Sequence, residues 1–96
     1  MRNRHIVTYD ITDDKRRTRV FKTLLGFGDH LQYSVFRCDL SRKERVLLIE
    51  AIEKVINHRK DQVMIIDLGP AEGRADRRIH TIGLPYTPAA RGVVVV

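Results

Sequence analysis

The apolar positions of His5 to Asp10 belong to a short β-branched and aromatic run that ends at polar residues, which predicts a strand. From Asp13 the pattern changes. Val20, Phe21, Leu24 and Leu25 recur at helical spacing, which predicts a helix from an N-cap at Asp13 to about Gly26. Asp14 lies near the positive end of its dipole, and Gly26 and Gly28 punctuate its end. HLQYSVFRCDL, residues 30–40, has a period of two, with Leu31, Tyr33, Val35 and Arg37 alternating against Gln32, Ser34, Phe36 and Cys38. Ser41 then heads a second helix, with Glu44 at the capping-box position. Val46, Ile49, Ile52, Val55 and Ile56 line its buried side, and it should fray near Asn57. QVMIIDL at 62–68 is a third strand, bounded by Gly69 and Pro70. The loop PAEGRADR leads to a fourth, RIHTIGL, at 78–84.

Counted simply, the order is β-α-β-α-β-β. It becomes β-α-β-β-α-β if the long HLQYSVFRCDL strand is bent and fills two places. Either way the chain reads as an α+β sandwich, an antiparallel-rich sheet with both helices on one side. The uncovered face, carrying residues such as Tyr9, Tyr33 or Phe36, would want a partner. Residues 1–84 form this one domain. The tail, 85–96, ends in GVVVV, which is too short to span a membrane and strongly strand-prone. An exposed strand of that kind is an aggregation hazard unless paired, so it should add to a sheet edge, in the other subunit.

Composition narrows the partners. With 43% hydrophobic residues the 96-residue chain should fold as a globule. Its 18 Lys and Arg against 12 Asp and Glu leave a formal charge of +6, which favours a polyanionic partner, foremost nucleic acid. A merely soluble basic surface would have the same balance. Cys38 is the only cysteine, so there is no intramolecular disulfide and no cysteine-based zinc site, and a reducing cytoplasm fits. MRNRHIVTYD holds no long apolar segment, against a signal peptide or a membrane partner. His5, His30, His58 and His80 show no metal-ligand spacing, and no aromatic-glycine pattern of an RRM-type base reader is present.

The candidate chemistry concentrates in TYDITDDKRR, residues 8–17, whose three acids could be a metal site, a helix cap or a charged bend. Capping accounts for Asp13 and Asp14. Lys15, Arg16, Arg17, Arg19 and Lys22 lie mostly off the apolar stripe, where they can meet phosphates without selecting bases. RADRR at 74–78 is a second basic cluster.

The pairing of YDI-x-DD-x-R, Tyr9 to Arg16, with G-x-G-x-x-x-QYSVF, Gly26 to Phe36, resembles the CRISPR-associated protein 2 family, small dimeric proteins of spacer acquisition. The likeness runs in order from about residue 5 to 84. It implies a ferredoxin-like sandwich, dimerised through its sheets, with the C-terminal strand completing the partner's sheet. It also implies that the acid ending the first strand, Asp10, is the functional one, the metal ligand for Mg²⁺ or Mn²⁺ at the dimer axis. By the same resemblance Tyr9, Arg17, Arg19 and Phe36 join Asp10 as catalytic positions. His30 stands where some relatives carry an arginine and joins Lys15, Arg16, Arg17, Arg19 and Lys22 as a nucleic-acid contact.

Two functions follow from the resemblance. One is a metal-dependent endonuclease cutting RNA or DNA. The other is a non-catalytic dimeric adaptor that bridges the CRISPR integrase while double-stranded DNA lies across its basic surface.

Overall fold

The computed structural model describes residues 1–71 and 80–85. Six elements follow one another: β1 (Asn3–Asp10), α1 (Asp14–Leu25), β2 (Asp29–Gln32), β3 (Val35–Leu40), α2 (Arg42–Glu53) and β4 (Gln62–Pro70). They form one antiparallel sheet in the order β2-β3-β1-β4, with both helices packed on one face, the β-α-β-β-α-β order of a ferredoxin-like sandwich. The long strand is indeed two. Tyr33, at φ 35°, turns the chain between β2 and β3 in the left-handed region that a side chain rarely enters. The expected strand at 78–84 has no counterpart in residues 80–85, which carry no regular structure. Residues 78–79, the RADRR cluster and the tail from 86 onward lie outside the described residues.

Both helix starts form as their sequences dictate. The Asp13 carboxylate accepts from the Arg16 amide at 2.9 Å, and that bond, more than any other influence, holds its pKa below the usual carboxylate range. At α2 the capping box closes in both directions: Ser41 Oγ accepts from the Glu44 amide (3.1 Å), and Glu44 Oε1 accepts from the Ser41 amide (2.8 Å). Arg2 grips the same carboxylate with Nε and Nη2, at 2.8 and 3.1 Å, which joins the start of the chain to α2.

The core lies between the helices and the sheet. Val20, Phe21 and Leu24 of α1 and Leu48 and Ile52 of α2 close on Val7, Tyr9, Phe36, Cys38 and Leu40. Three side chains depart from the sequence reading. Tyr9 and Phe36 are not on the uncovered face; they are 6% and 0% exposed, on the helix side, because they share the phase of Val7 and Cys38. Val46 is 54% exposed, and Leu48, four residues before Ile52, takes its place against the sheet. The second helix also stops at Glu53, earlier than Asn57. The Val55 and Ile56 amides both turn back to the Ile52 carbonyl, and Val55 and Ile56 still pack against the core.

Gly28 marks the tightest approach. A Cβ there would sit 2.1 Å from the Arg37 carbonyl oxygen and 2.6 Å from Cys38 Sγ, so β2 can lie against β3 only with glycine at this position. Gly28→Ala should therefore lower stability by about 1–3 kcal/mol, read from urea unfolding, since the nearest obstacle is backbone. A second expectation concerns acid. Glu44 is drawn down from 4.5 to about 2, chiefly by its hydrogen bond from Arg2. Its ionised form is thus favoured on folding, and the stability it contributes is full above pH 4.5 and lost as pH falls towards about 2. Melting temperatures of wild type and Arg2→Ala should differ most at neutral pH and converge across that window.

Candidate functional site

The pleat of β1 decides where Asp10 points. With Val7 and Tyr9 directed at the helices, Ile6, Thr8 and Asp10 lie on the opposite face, paired in register with Ile66, Met64 and Gln62 of β4. Among the described residues no helix covers that face. Met64 and Ile66 are 48% and 44% exposed there, and Asp10 is exposed at the end of the strip. Among the described residues the Asp10 carboxylate has no hydrogen-bond or ion-pair partner. Elsewhere the same face is charged and paired: Arg4 holds Asp39 with Nε and Nη2 at 2.9 and 3.1 Å, and Arg37 Nη2 donates to Asp29 at 3.1 Å.

The three acids of TYDITDDKRR separate as the capping argument requires. Asp13 caps α1, and Asp14 accepts from Arg17 Nη2 within the first turn. Arg17 Nη1 also donates to the Ile11 and Thr12 carbonyls, both at 3.2 Å. The residue expected to touch substrate therefore binds the loop that follows Asp10 and fixes how the chain leaves β1.

Arg16 is likewise engaged internally. It forms a two-pronged ion pair with Asp61, Nε to Oδ2 at 2.7 Å and Nη2 to Oδ1 at 3.2 Å. The Asp61 side chain has no solvent exposure, and it also accepts from the Asn57 amide at 2.8 Å. The Arg16 hydrogen bond is the leading cause of Asp61's pKa lying below the usual carboxylate range. The pair ties α1 to the turn entering β4. Sequence reasoning passed over Asp61, although a single acid closing the basic run HRKD is the signal that could have found it.

Lys15, Arg19 and Lys22 remain as the exposed cations of α1, spaced at i, i+4 and i+7 on one stripe and without partners among the described residues. His30 is elsewhere. Its ring packs edge-on to Phe21, centroids 4.8 Å apart, and beside Phe36 at 5.1 Å. Its Nε2–H donates to the Tyr33 carbonyl at 2.7 Å, which holds the strained hairpin turn. Of the residues expected at the site, the structure places Asp10 on the open face, Lys15, Arg19 and Lys22 on a helix stripe, and Tyr9, Phe36 and His30 in or against the core.

Residues 3–74 match the model of the family described as CRISPR associated protein Cas2. The chain belongs to the Cas2 family. It is 43% identical over 96 residues to the CRISPR-associated endoribonuclease Cas2 of Geobacter sulfurreducens, covering 100% of both chains. It is 36% identical over 92 residues to CRISPR-associated endoribonuclease Cas2 1 of Rhodospirillum rubrum, covering 96% of this chain and 89% of that one. The fold superposes on the crystal structure of Streptococcus pyogenes Cas2 at pH 6.5 with a TM-score of 0.71 and 26% identity, over 83% of this chain and 99% of that one. Among the described residues no helix is long and apolar enough to cross a membrane.

The Cas2 frame gives the ion pair beneath α1 a measurable consequence. Arg16→Ala strands the Asp61 carboxylate without its guanidinium, so this variant should melt at a lower temperature than wild type, whereas Lys15→Ala should not. Equal melting temperatures for the two variants would show that the pair does not anchor α1.

Proposed function

We propose that two copies of this Cas2 chain join through their open sheet faces and bring two Asp10 carboxylates to one phosphodiester of RNA or DNA. The observation that carries this reading is Asp10 itself: an exposed, unpartnered carboxylate at the end of an uncovered strip of Ile6, Met64 and Ile66. The strip is apolar enough to favour a second copy, and Asp10 lies on the same surface. The endoribonuclease names of the Geobacter and Rhodospirillum relatives support cleavage as the activity.

A carboxylate is a hard oxygen ligand suited to Mg²⁺ or Mn²⁺. Among the described residues of one chain no three His, Cys, Asp or Glu side chains gather to hold such an ion. Asp10 fits the role only when a second Asp10 and substrate phosphate oxygens share it. A bound ion supplies charge neutralisation at the phosphate and a more acidic water. The other residues position. Arg17 fixes the Ile11–Thr12 exit from β1, Tyr9 and Phe36 set the strand beneath Asp10, and Lys15, Arg19 and Lys22 hold the phosphate backbone on either side.

A second reading has its own observation. The Lys15–Arg19–Lys22 stripe stands on a rigid helix and owes nothing to Asp10, so a dimer could hold duplex DNA for the CRISPR integrase without cutting it. Asp10→Asn separates the two. In the cleavage reading it abolishes Mg²⁺-dependent hydrolysis of RNA and DNA while the dimer and its DNA affinity persist. A wild-type protein inactive across metals and pH, yet forming a complex with the integrase, would leave the adaptor. For the stripe, replacing Lys15, Arg19 and Lys22 together by Gln should weaken binding to all sequences alike. The salt dependence should flatten by about 0.9 in log–log slope for each phosphate that the variant no longer neutralises.

A further inference from the structure

At the opposite end of β1 from Asp10, a cavity of about 390 Å³ opens between the first residues of β1, the end of β4 and the first turn of α2. Its wall includes His5, whose side chain is 2% exposed and whose Nδ1 has no hydrogen-bond partner among the described residues. An imidazole nitrogen buried without a partner is costly unless something else meets it. Its other nitrogen, Nε2, lies 3.7 Å from Asp67 Oδ2. The Asp67 carboxylate is itself held by the Gly69 amide at 2.8 Å and by Asn3 Nδ2 at 3.2 and 3.3 Å, so the imidazole is fixed from one side.

Across the cavity stand Arg42 and Arg45 of α2, both exposed and both without a hydrogen bond or ion pair among the described residues. Neither guanidinium is held by a hydrogen bond, although Arg45 is near enough to Asp67 to help hold its pKa below the usual carboxylate range. The helix start adds to them. The capping box occupies the Ser41 and Glu44 amides but leaves those of Arg42 and Lys43 open, at the positive end of a 12-residue helix. The one carboxylate in that turn, Glu44, is already gripped by Arg2. Among the described residues Asp67 is the one anion on the wall, set against two arginines and a histidine.

We propose that this cavity binds a phosphate-class oxyanion: the phosphate of a free mononucleotide or the terminal phosphate of a nucleic-acid strand. Arg42 and Arg45 meet the oxygens as forks, the open amides of α2 complete the cradle, and buried His5 forms its floor. The volume exceeds that of a bare ion and falls near the lower end of the roughly 300–1,000 Å³ of small-molecule sites, which leaves room for the group that carries the phosphate. The site is separate from Asp10 and does not rest on the cleavage reading.

The test is a titration of the intact protein with inorganic phosphate and with uridine 5′-monophosphate, followed by the His5 side-chain resonances in NMR. Both should shift those resonances saturably. The double variant Arg42→Gln with Arg45→Gln should weaken the binding by at least about tenfold, as expected for two charge-assisted donors. Lys54→Gln with Arg59→Gln, exposed cations remote from the cavity wall, should leave it unchanged. Both arginines are exposed and make no hydrogen bond among the described residues, so the variant should keep a melting temperature close to that of wild type. Oligonucleotides of one sequence with a 5′-phosphate or a 5′-hydroxyl separate the sources: preference for the phosphorylated strand assigns the site to strand ends, and equal binding alongside mononucleotide binding assigns it to free nucleotides. Unmoved His5 resonances at millimolar phosphate, or equal affinity in the arginine double variant, would overturn the proposal.

Discussion

The pleat of the central strand constrains most of what this molecule can do. β1 is hydrogen-bonded on both sides, by β3 and by β4, so its register has no freedom to slip. Val7 and Tyr9 must meet the helices to complete the core, and a side chain one residue on must then face away. Asp10 emerges on the uncovered face as a consequence of hydrophobic packing several residues earlier. A one-residue shift would bury the carboxylate and expose the tyrosine. The position of the candidate functional acid and the integrity of the core are therefore one structural fact.

Charge is divided in a comparable way. The consecutive cations Lys15, Arg16 and Arg17 look equivalent in the sequence, yet α1 turns them to different tasks. Arg16 reaches Asp61 and locks the helix to the turn before β4, and Arg17 seizes the carbonyls that follow Asp10. Lys15 continues into a stripe with Arg19 and Lys22 that faces outward. Arginine suits the internal tasks because its planar fork satisfies two acceptors at once, and two of the three outward positions are lysines, flexible point charges. The formal charge of +6 therefore says little about where a polyanion would lie. Among the described residues, the exposed cations without a hydrogen-bond or ion-pair partner include one group on α1 and another at the start of α2.

Much of this is legible in the sequence, and the reasons are local. Both caps are, because Asp13 to Arg16 and Ser41 to Glu44 are contacts across three residues that the spacing alone fixes. The candidacy of Asp10 comes from its family motif, and the pleat of β1 accounts for its exposure. The break in HLQYSVFRCDL is ambiguous in the sequence, because the turn uses Tyr33 at positive φ where glycine or asparagine would have announced it, and a histidine hydrogen bond stabilises it. The exchange of Val46 for Leu48 escapes the periodicity because an apolar run in α2 fits two rotational phases, and only the facing sheet chooses between them. The partnership of Arg16 with Asp61 spans 45 residues, and that of His5 with Asp67 joins two strands; neither distance leaves a trace in spacing.

Glycine at 28 also seals what lies beneath it. Cys38 is fully buried under that crossing, and burial pushes its thiol up to about 12, so almost none of it is thiolate at neutral pH. Oxidants and alkylating reagents find nothing to attack while β2 lies on β3. The only thiol in the chain thus reports on the folded state: its rate of labelling counts how often the sheet opens at that point, with no engineered probe and no competing site.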